Sequence, residues 1–210
     1  MKLIDKSNTY IDSNVIIGEN TVIYPNVIIE GSSIIGDNCT IYSGSVIKDT
    51  KIGNNNIIYS SHIIQSTIGN NNEIGPYANI RPNNIINDYI KIGSFVELKN
   101  STINDHTKIP HLSYIGDSEV GSNVNVGCGV ITANYDGKNK NKTIIKDNVF
   151  IGCNSNLVAP ITLHENCLIG AGSTVTEDVY ENQLCIARAR QVNKDVNKWK
   201  NGLMNLKSLL

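Results

Sequence analysis

The sequence predicts an all-β protein built as a parallel β-solenoid of six-residue repeats. An aliphatic residue recurs at every sixth position over most of the chain, and glycine, asparagine or aspartate is frequent in the residues that follow it. Six residues match neither a helical turn nor a two-residue alternation, but they are the repeat length of a coiled strand solenoid. The composition agrees, because a chain that is 40% hydrophobic and only 6% aromatic favours a core of aliphatic layers.

The aliphatic positions form three runs that we expect to stack inside the solenoid. In chain order they are Ile17, Ile23, Ile29, Ile35, Ile41 and Ile47, then Ile52, Ile58, Ile64, Ile68, Ile74, Ile80, Ile86, Ile92 and Leu98, and finally Ile145, Ile151, Leu157, Leu163, Ile169 and Val175. Three hexads make one triangular coil of roughly eighteen residues, so each isoleucine would pack on its counterpart one coil away. A sandwich of short strands is the alternative, but its strands do not keep a constant six-residue register.

The segment 132–143 interrupts the repeat. It reads TANYDGKNKNKT and carries three lysines among glycine and asparagines. We expect it to leave the solenoid as an extruded loop before the repeat resumes at Ile145. Loops held by a rigid scaffold often carry function, and a solvated insertion without a role is the alternative.

The repeat stops after Val179, which divides the chain into a solenoid domain, residues 1–180, and a C-terminal segment, residues 181–210. Residues 184–188 are expected to form a last extended stretch. Over 194–210 the apolar side chains recur at near-helical spacing with lysines between them. This pattern predicts an amphipathic helix that caps the open end of the coils, with a partner-binding helix as the alternative.

Charge and cysteine content narrow the classes of function. The formal net charge of −1 gives no overall field that would attract nucleic acid or an anionic membrane, so any anion site must be local. No apolar run of about 18 residues is present, and the first residues contain no apolar signal core. The five cysteines are widely spaced without a Cys-x-x-Cys pair, which indicates reduced thiols in a cytoplasmic protein.

Three blocks of polar residues depart from the plain repeat. They read FVELK at 95–99, HLSYIGD at 111–117, and a block from 125 that closes with NYDG at 134–137. In these blocks the chain resembles the acetyltransferase (C-terminal) domain of the bifunctional N-acetylglucosamine-1-phosphate uridyltransferase/glucosamine-1-phosphate acetyltransferase family. The resemblance implies a left-handed coil. It also implies N-acetylation of the 2-amino group of glucosamine 1-phosphate, a step towards the cell-envelope precursor UDP-N-acetylglucosamine. The implied co-substrate is acetyl-CoA, and no metal is expected to be required.

The resemblance makes His111 the general base. Acetylation of an amine needs a proton acceptor near neutral pH, and an unperturbed imidazole with a pKa near 6.5 suits that task. The nitrogen would attack the thioester directly, while the backbone N–H of Cys128 stabilises the oxyanion. A surface histidine without a role is the alternative for His111. A covalent acyl-cysteine is the alternative mechanism, disfavoured because no cysteine adjoins a histidine in the motif.

The remaining site residues are also carried over from the resemblance. The aminosugar phosphate would contact Arg81, Lys99, Tyr114 and Asn125, where arginine can form two hydrogen bonds to a phosphate. The predicted acetyl-CoA contacts are Cys128, Asn134, Tyr135, Lys140, Cys153, Ala171 and Arg188. Cys153 replaces a serine of the family, which would weaken coenzyme binding by roughly 1 kcal/mol if one neutral hydrogen bond is lost. Glu97 is a further hypothesis, as the residue that orients His111.

Family members are homotrimers with sites between subunits, and the same is expected here because a flat-sided prism cannot enclose a ligand. The sequence contains no nucleotidyltransferase half, so uridylyl transfer is expected from a separate protein, or else the chain is a fragment. Three other functions remain open: an acetyltransferase for another amino sugar or nucleotide-aminosugar, a non-catalytic scaffold, and a zinc carbonic anhydrase-like enzyme. The zinc alternative rests on His106 and His111, five residues apart, with His62 upstream.

Overall fold

A computed structural model of the chain describes residues 1–196. Its strands are two to four residues long and pair in parallel into three sheets of eleven, ten and nine strands within that range. Consecutive strands pass from one sheet to the next, so that every third strand returns to the same sheet one coil further on. This arrangement confirms the predicted left-handed parallel β-helix. We call the three sheets face I, face II and face III.

The bounds of the strands follow the coils. Face I contains Lys2–Leu3, Val22–Ile23, Thr40–Ile41, Ile57–Ile58, Glu73–Ile74, Lys91–Ser94, Lys108–His111, Asn125–Val126, Phe150–Ile151, Leu168–Ile169 and Leu184–Cys185. Face II contains Tyr10–Ile11, Ile28–Glu30, Val46–Lys48, His62–Ile64, Asn79–Ile80, Glu97–Lys99, Tyr114–Gly116, Ile131–Ala133, Asn156–Val158 and Thr174–Val175. Face III contains Ile16–Ile17, Ile34–Ile35, Lys51–Ile52, Thr67–Ile68, Ile85–Ile86, Thr102–Ile103, Ser118–Val120, Thr143–Ile145 and Ile161–Leu163.

The core is a column of stacked aliphatic side chains inside the three faces. Ile92 pairs with Ile109 on face I, and both are fully buried. The same pairing of like residues continues on the other faces, so each coil buries its apolar surface against the next. One predicted core position is wrong: Ile63 is buried and pairs with Ile47 and Ile80, whereas Ile64 is only half-buried.

The predicted loop leaves the coil between the strands Ile131–Ala133 and Thr143–Ile145. It is slightly shorter than the segment 132–143, because Thr132 and Thr143 are both buried as parts of those strands. Within the loop Tyr135 and Lys140 form an antiparallel bridge. The excursion is therefore ordered by its own contacts.

The end of the chain is described only in part. Leu184–Cys185 is the last strand within residues 1–196. The amphipathic helix predicted over 194–210 falls almost wholly outside the described residues. In the part of the chain that the structure describes, no helix has the length and apolar character needed to cross a lipid bilayer.

Candidate functional site

His111 lies at the edge where face I passes into face II. It is the last residue of the strand Lys108–His111, and its side chain is exposed. Leu112 then turns the chain with a φ of +49°, and Tyr114 begins the next strand on face II. The imidazole is therefore carried on a corner that the stacked coils hold rigidly. We call this corner edge I/II.

The next coils place three predicted coenzyme contacts in line with His111. Lys108 pairs with Asn125, and the Gly129 N–H donates to the Leu112 oxygen at 3.0 Å, which puts Cys128 one coil above His111. The Asn154 N–H donates to the Cys128 oxygen at 2.7 Å, and the Gly172 N–H donates to the Cys153 oxygen at 2.8 Å. We call the resulting line the edge row: His111, Cys128, Cys153 and Ala171. Neighbouring strands lie about 4.8 Å apart, so the row extends for roughly 14 Å.

Arg188 lies at the top of the edge row. Gly172 adopts a φ of +73° beside Ala171, and a methyl group at Gly172 would lie 3.6 Å from Cδ of Arg188. The small residues at the upper end of the row leave room for the aliphatic part of this side chain. The row thus runs from an imidazole at one end to an exposed guanidinium at the other.

Face II carries a second group of predicted ligands, in two clusters. In the first, Arg81 Nη1 lies 2.9 Å from Glu97 Oε1, and both side chains are partly exposed. The Asn79 amide donates to the other Glu97 oxygen at 3.4 Å. The carboxylate predicted to orient His111 is therefore bonded to Arg81 and Asn79 within this chain, and its orienting role stays a prediction.

The second cluster is built around Asp117, to which the sequence analysis gave no role. Asp117 is 9% exposed and accepts hydrogen bonds from the side-chain amides of Asn100, at 2.7 Å, and Asn134. The Lys99 ammonium lies 3.7 Å from the Asp117 carboxylate. Asn134 also donates to the Tyr114 hydroxyl at 3.4 Å. One buried carboxylate thus connects three of the predicted ligand contacts.

The extruded loop begins at Asn134 and presents two more predicted coenzyme contacts. The Lys140 ammonium lies 4.4 Å from the centre of the Tyr135 ring, a favourable cation–π distance. Backbone N–H groups of Asn139 and Lys138 donate to the Asp136 carboxylate and lower its pKa to about 2. The ionised carboxylate therefore closes the loop that carries Tyr135 and Lys140, directly after Asn134 of the Asp117 cluster.

Within residues 1–196 of a single chain, the predicted ligands do not enclose one pocket. Asn125 lies on face I, whereas Arg81, Lys99 and Tyr114 belong to face II, with His111 on the corner between them. A corner of a prism is convex, so it cannot surround a ligand by itself. The histidines of the zinc alternative are also apart: His106 stacks on Tyr89 at 5.0 Å, near the start of the strand on face I that ends at His111.

Two buried polar residues of this region were missed by the sequence analysis. Asp117 is the last residue of the HLSYIGD block, at a turn with a φ of +49°. Thr132 is fully buried in the aliphatic column of face II, where its hydroxyl accepts from the Gly116 N–H at 2.8 Å. The sequence signal for Asp117 was its place at the end of the motif. The signal for Thr132 was a threonine at a position where the repeat calls for an aliphatic residue.

Comparison of the sequence with known families gives two matches. Residues 14–49 match the family model described as bacterial transferase hexapeptide (six repeats), and residues 62–201 match the model described as the GMPPB C-terminal domain. The second match covers well over half of the chain. The description of the first agrees with the six-residue repeat of the coils.

The chain is also similar to bifunctional GlmU proteins. It is 53% identical over 201 residues to the protein from Clostridium kluyveri, and the aligned region covers 96% of this chain and 44% of that protein. It is 56% identical over 193 residues to the protein from a Geobacillus species, covering 92% of this chain and 42% of that protein. The chain therefore spans less than half the length of these relatives.

Solved structures share the fold at low sequence identity. The UDP-N-acetylglucosamine acyltransferase of Francisella novicida superposes with a TM-score of 0.52 at 19% identity, covering 97% of this chain and 75% of that one. The acyltransferase of the same name from Campylobacter jejuni gives a TM-score of 0.50 at 19% identity, covering 75% and 67%. At these identities the likeness concerns the fold alone.

Proposed function

Because this chain belongs to the family of the GMPPB C-terminal domain and is related to the acetyltransferase domain of the bifunctional GlmU proteins, we propose that it acetylates glucosamine 1-phosphate. The acetyl group of acetyl-CoA would pass to the 2-amino nitrogen and give N-acetylglucosamine 1-phosphate. The observation that carries this proposal is the edge row. It places a solvent-accessible imidazole in line with small residues along which a long, thin thioester can lie.

His111 acts as the general base in the proposed reaction. It removes a proton from the attacking amine, while the amine nitrogen bonds to the thioester carbonyl and the CoA sulfur leaves. The Cys128 N–H has no hydrogen-bond acceptor among residues 1–196 and stands one coil from the imidazole, so it can donate to the oxyanion. A donor fixed on a stacked coil needs little reorganisation during the reaction.

The face II clusters supply the charge for the phosphosugar. Arg81 is held by Glu97 in an exposed ion pair, and such pairs contribute little to stability. A phosphate can therefore replace the carboxylate as the partner of the guanidinium at small cost. Lys99 and Tyr114 lie on the next coils of the same face and complete the sugar side of the site.

We propose that the complete site forms between subunits of a homotrimer. The corner at edge I/II is convex, and the predicted ligands divide between two faces. A second subunit packed along this edge would place its own residues opposite His111. The cytoplasm is the proposed compartment, and a uridyltransferase, as a separate protein or as another part of a longer chain, is the proposed partner in UDP-N-acetylglucosamine biosynthesis.

The proposal is tested by measuring release of the free CoA thiol with glucosamine 1-phosphate. His111→Ala should lower the rate by about 10²-fold or more, the usual scale for a positioned acid/base group. His106→Asn is the matched control, because asparagine occupies the corresponding left-handed turn position at Asn123 in the next coil. That control should retain the wild-type rate.

The same assay separates the alternatives. Glucosamine 6-phosphate and nucleotide-linked aminosugars are offered in competition with glucosamine 1-phosphate. Preference for one of these would replace the proposed acceptor. Stoichiometric zinc in the active protein, together with loss of activity in His106→Asn, would favour the zinc enzyme, whereas an unchanged rate in His111→Ala would exclude the proposed base.

A further inference from the structure

The fold brings a thiol next to the predicted base. Cys128 and His111 are seventeen residues apart in the sequence, but they occupy the same corner position in adjacent coils. The coil spacing places their backbones about 5 Å apart. The sequence motif alone disfavoured a cysteine nucleophile because none adjoined a histidine, and the stacking of the coils removes that objection.

We propose that Cys128 is a self-acetylation site. His111 removes the proton of the Cys128 thiol, and the Cys128 sulfur attacks the carbonyl carbon of acetyl-CoA. A carbon–sulfur bond forms to Cys128, the bond to the CoA sulfur breaks, and the departing CoA thiolate takes the proton back from His111. This inference rests on the proposed function, since acetyl-CoA must lie along the edge row.

The exchange needs no further reactant. One thioester is consumed and one is formed, so neither oxidant nor reductant is involved and the two sides have similar energy. The oxyanion passes through the same corner as in the amine reaction, where the Cys128 N–H can donate. The modification therefore accumulates when no amine competes for the acetyl group, and an excess of free CoA reverses it.

The other cysteines differ from Cys128 in place or burial. Cys153 lies in the same row and is exposed, but it is two coils from His111, or roughly 10 Å. That is beyond the reach of a base, which must approach the proton within about 3 Å or through one water. Cys39 and Cys167 are buried within the coils. Cys185 is half-buried in the last strand of face I, where it pairs with Ile169 and is not part of the edge row. Cys153 therefore serves as an internal control in the same molecule.

The experiment incubates the full reduced chain with acetyl-CoA in the absence of any aminosugar. Intact mass and peptide mapping then locate the acetyl groups. We expect one acetyl group per chain on the peptide that contains Cys128, released by neutral hydroxylamine as a thioester and by added CoA. Cys128→Ala and Cys128→Ser should both lose the label, with folding of each checked by thermal melting, and His111→Ala should slow its appearance at least tenfold.

A parallel thiol-release assay with glucosamine 1-phosphate separates this inference from the proposed function. A chain that acetylates the aminosugar while Cys128 stays unmodified overturns the self-acetylation. Equal labelling of Cys153, or labelling of Cys128 at an unchanged rate in His111→Ala, also overturns it, because the reaction would then be ordinary surface acetylation. A chain that neither acetylates the aminosugar nor acquires the label refutes both proposals. Acetylation of Cys128 without acetylation of the aminosugar refutes only glucosamine 1-phosphate as the acceptor.

Discussion

Asp117 should be required both for the stability of the fold and for binding of the two substrates. The substitutions that test this are Asp117→Ala and Asp117→Asn. The residue Asp117 is 9% exposed, and its carboxylate holds the amide of Asn134, a residue that is 5% exposed, together with the ammonium of Lys99. Asp117 does not belong to the predicted ligand set, so it acts as a positioning residue.

The expected loss of stability follows from the groups left behind. In Asp117→Ala the buried Asn134 amide loses its ionised acceptor and keeps only the 3.4 Å contact with the Tyr114 hydroxyl, which costs about 1–3 kcal/mol. The Lys99 side chain is 27% exposed, so its lost ion pair adds no more than about 1 kcal/mol. The free energy of unfolding should therefore fall by about 1–4 kcal/mol. For a chain of this size the melting temperature should fall by roughly 2–16 °C.

Thermal melting measures the first effect, and steady-state kinetics measure the second. The KM values for aminosugar phosphate and for acetyl-CoA should rise together, since Lys99 and Asn134 lose their common anchor, with a smaller change in kcat. Asp117→Asn keeps one acceptor oxygen and should be milder. Asn100→Ala is the matched control, because it removes one exposed partner of the same carboxylate. A melting temperature in Asp117→Ala equal to that of Asn100→Ala would refute the reasoning.

Three further predictions concern separate parts of the molecule. Arg81→Ala should raise the KM for the aminosugar phosphate by about tenfold, the scale of one charge-assisted contact, and a larger effect on the KM for acetyl-CoA would assign Arg81 to the coenzyme. The exposed Cys153 should react with a thiol-specific disulfide reagent within the mixing time. Burial raises the pKa of Cys167 to about 11, so Cys167 should react only on unfolding. Asp136→Ala should lower the hydrogen-exchange protection factors of the loop amides, which are corrected for the intrinsic rate at each pH. Acidification below the ordinary carboxyl pKa of 3.8 towards about 2 should lower them too, because the ionised form is the one that accepts the loop N–H groups.

The repeat of aliphatic residues predicted the solenoid because buried positions recur at a nearly fixed interval. It did not predict which residues of neighbouring coils pair in every case. Ile57 pairs with Glu73, sixteen residues on, whereas Glu73 pairs with Lys91, eighteen residues on. The corners absorb this variation while the buried column stays continuous. Counting six residues at a time through a shorter coil therefore predicts that Ile64 is buried. The pairing of the strands instead places Ile63 in the core.

The sequence predicts which site residues lie close together only where it predicts which residues of neighbouring coils pair. The length of one coil is enough to predict that His111 and Cys128 nearly align. The extruded loop lies between Cys128 and Cys153, so counting residues does not predict that these two align. The Asp117 cluster needs side-chain positions, because its members come from three different coils. Neither spacing nor composition contains that information.

The backbone of edge I/II supplies an independent argument for the proposed assembly. Three successive coils place Tyr77, Phe95 and Leu112 in the left-handed region, with φ values of +60°, +58° and +49°. At the other left-handed turns of this edge the chain uses asparagine, glycine or serine, and a bulky residue costs roughly 1–2 kcal/mol more in this conformation. Each of the three is about 60% exposed, and the stacking of Tyr77 on Phe95 covers little of them. Contacts among residues 1–196 of one chain do not account for this cost. The proposed second subunit along the edge would account for it, because it would bury these three side chains near His111.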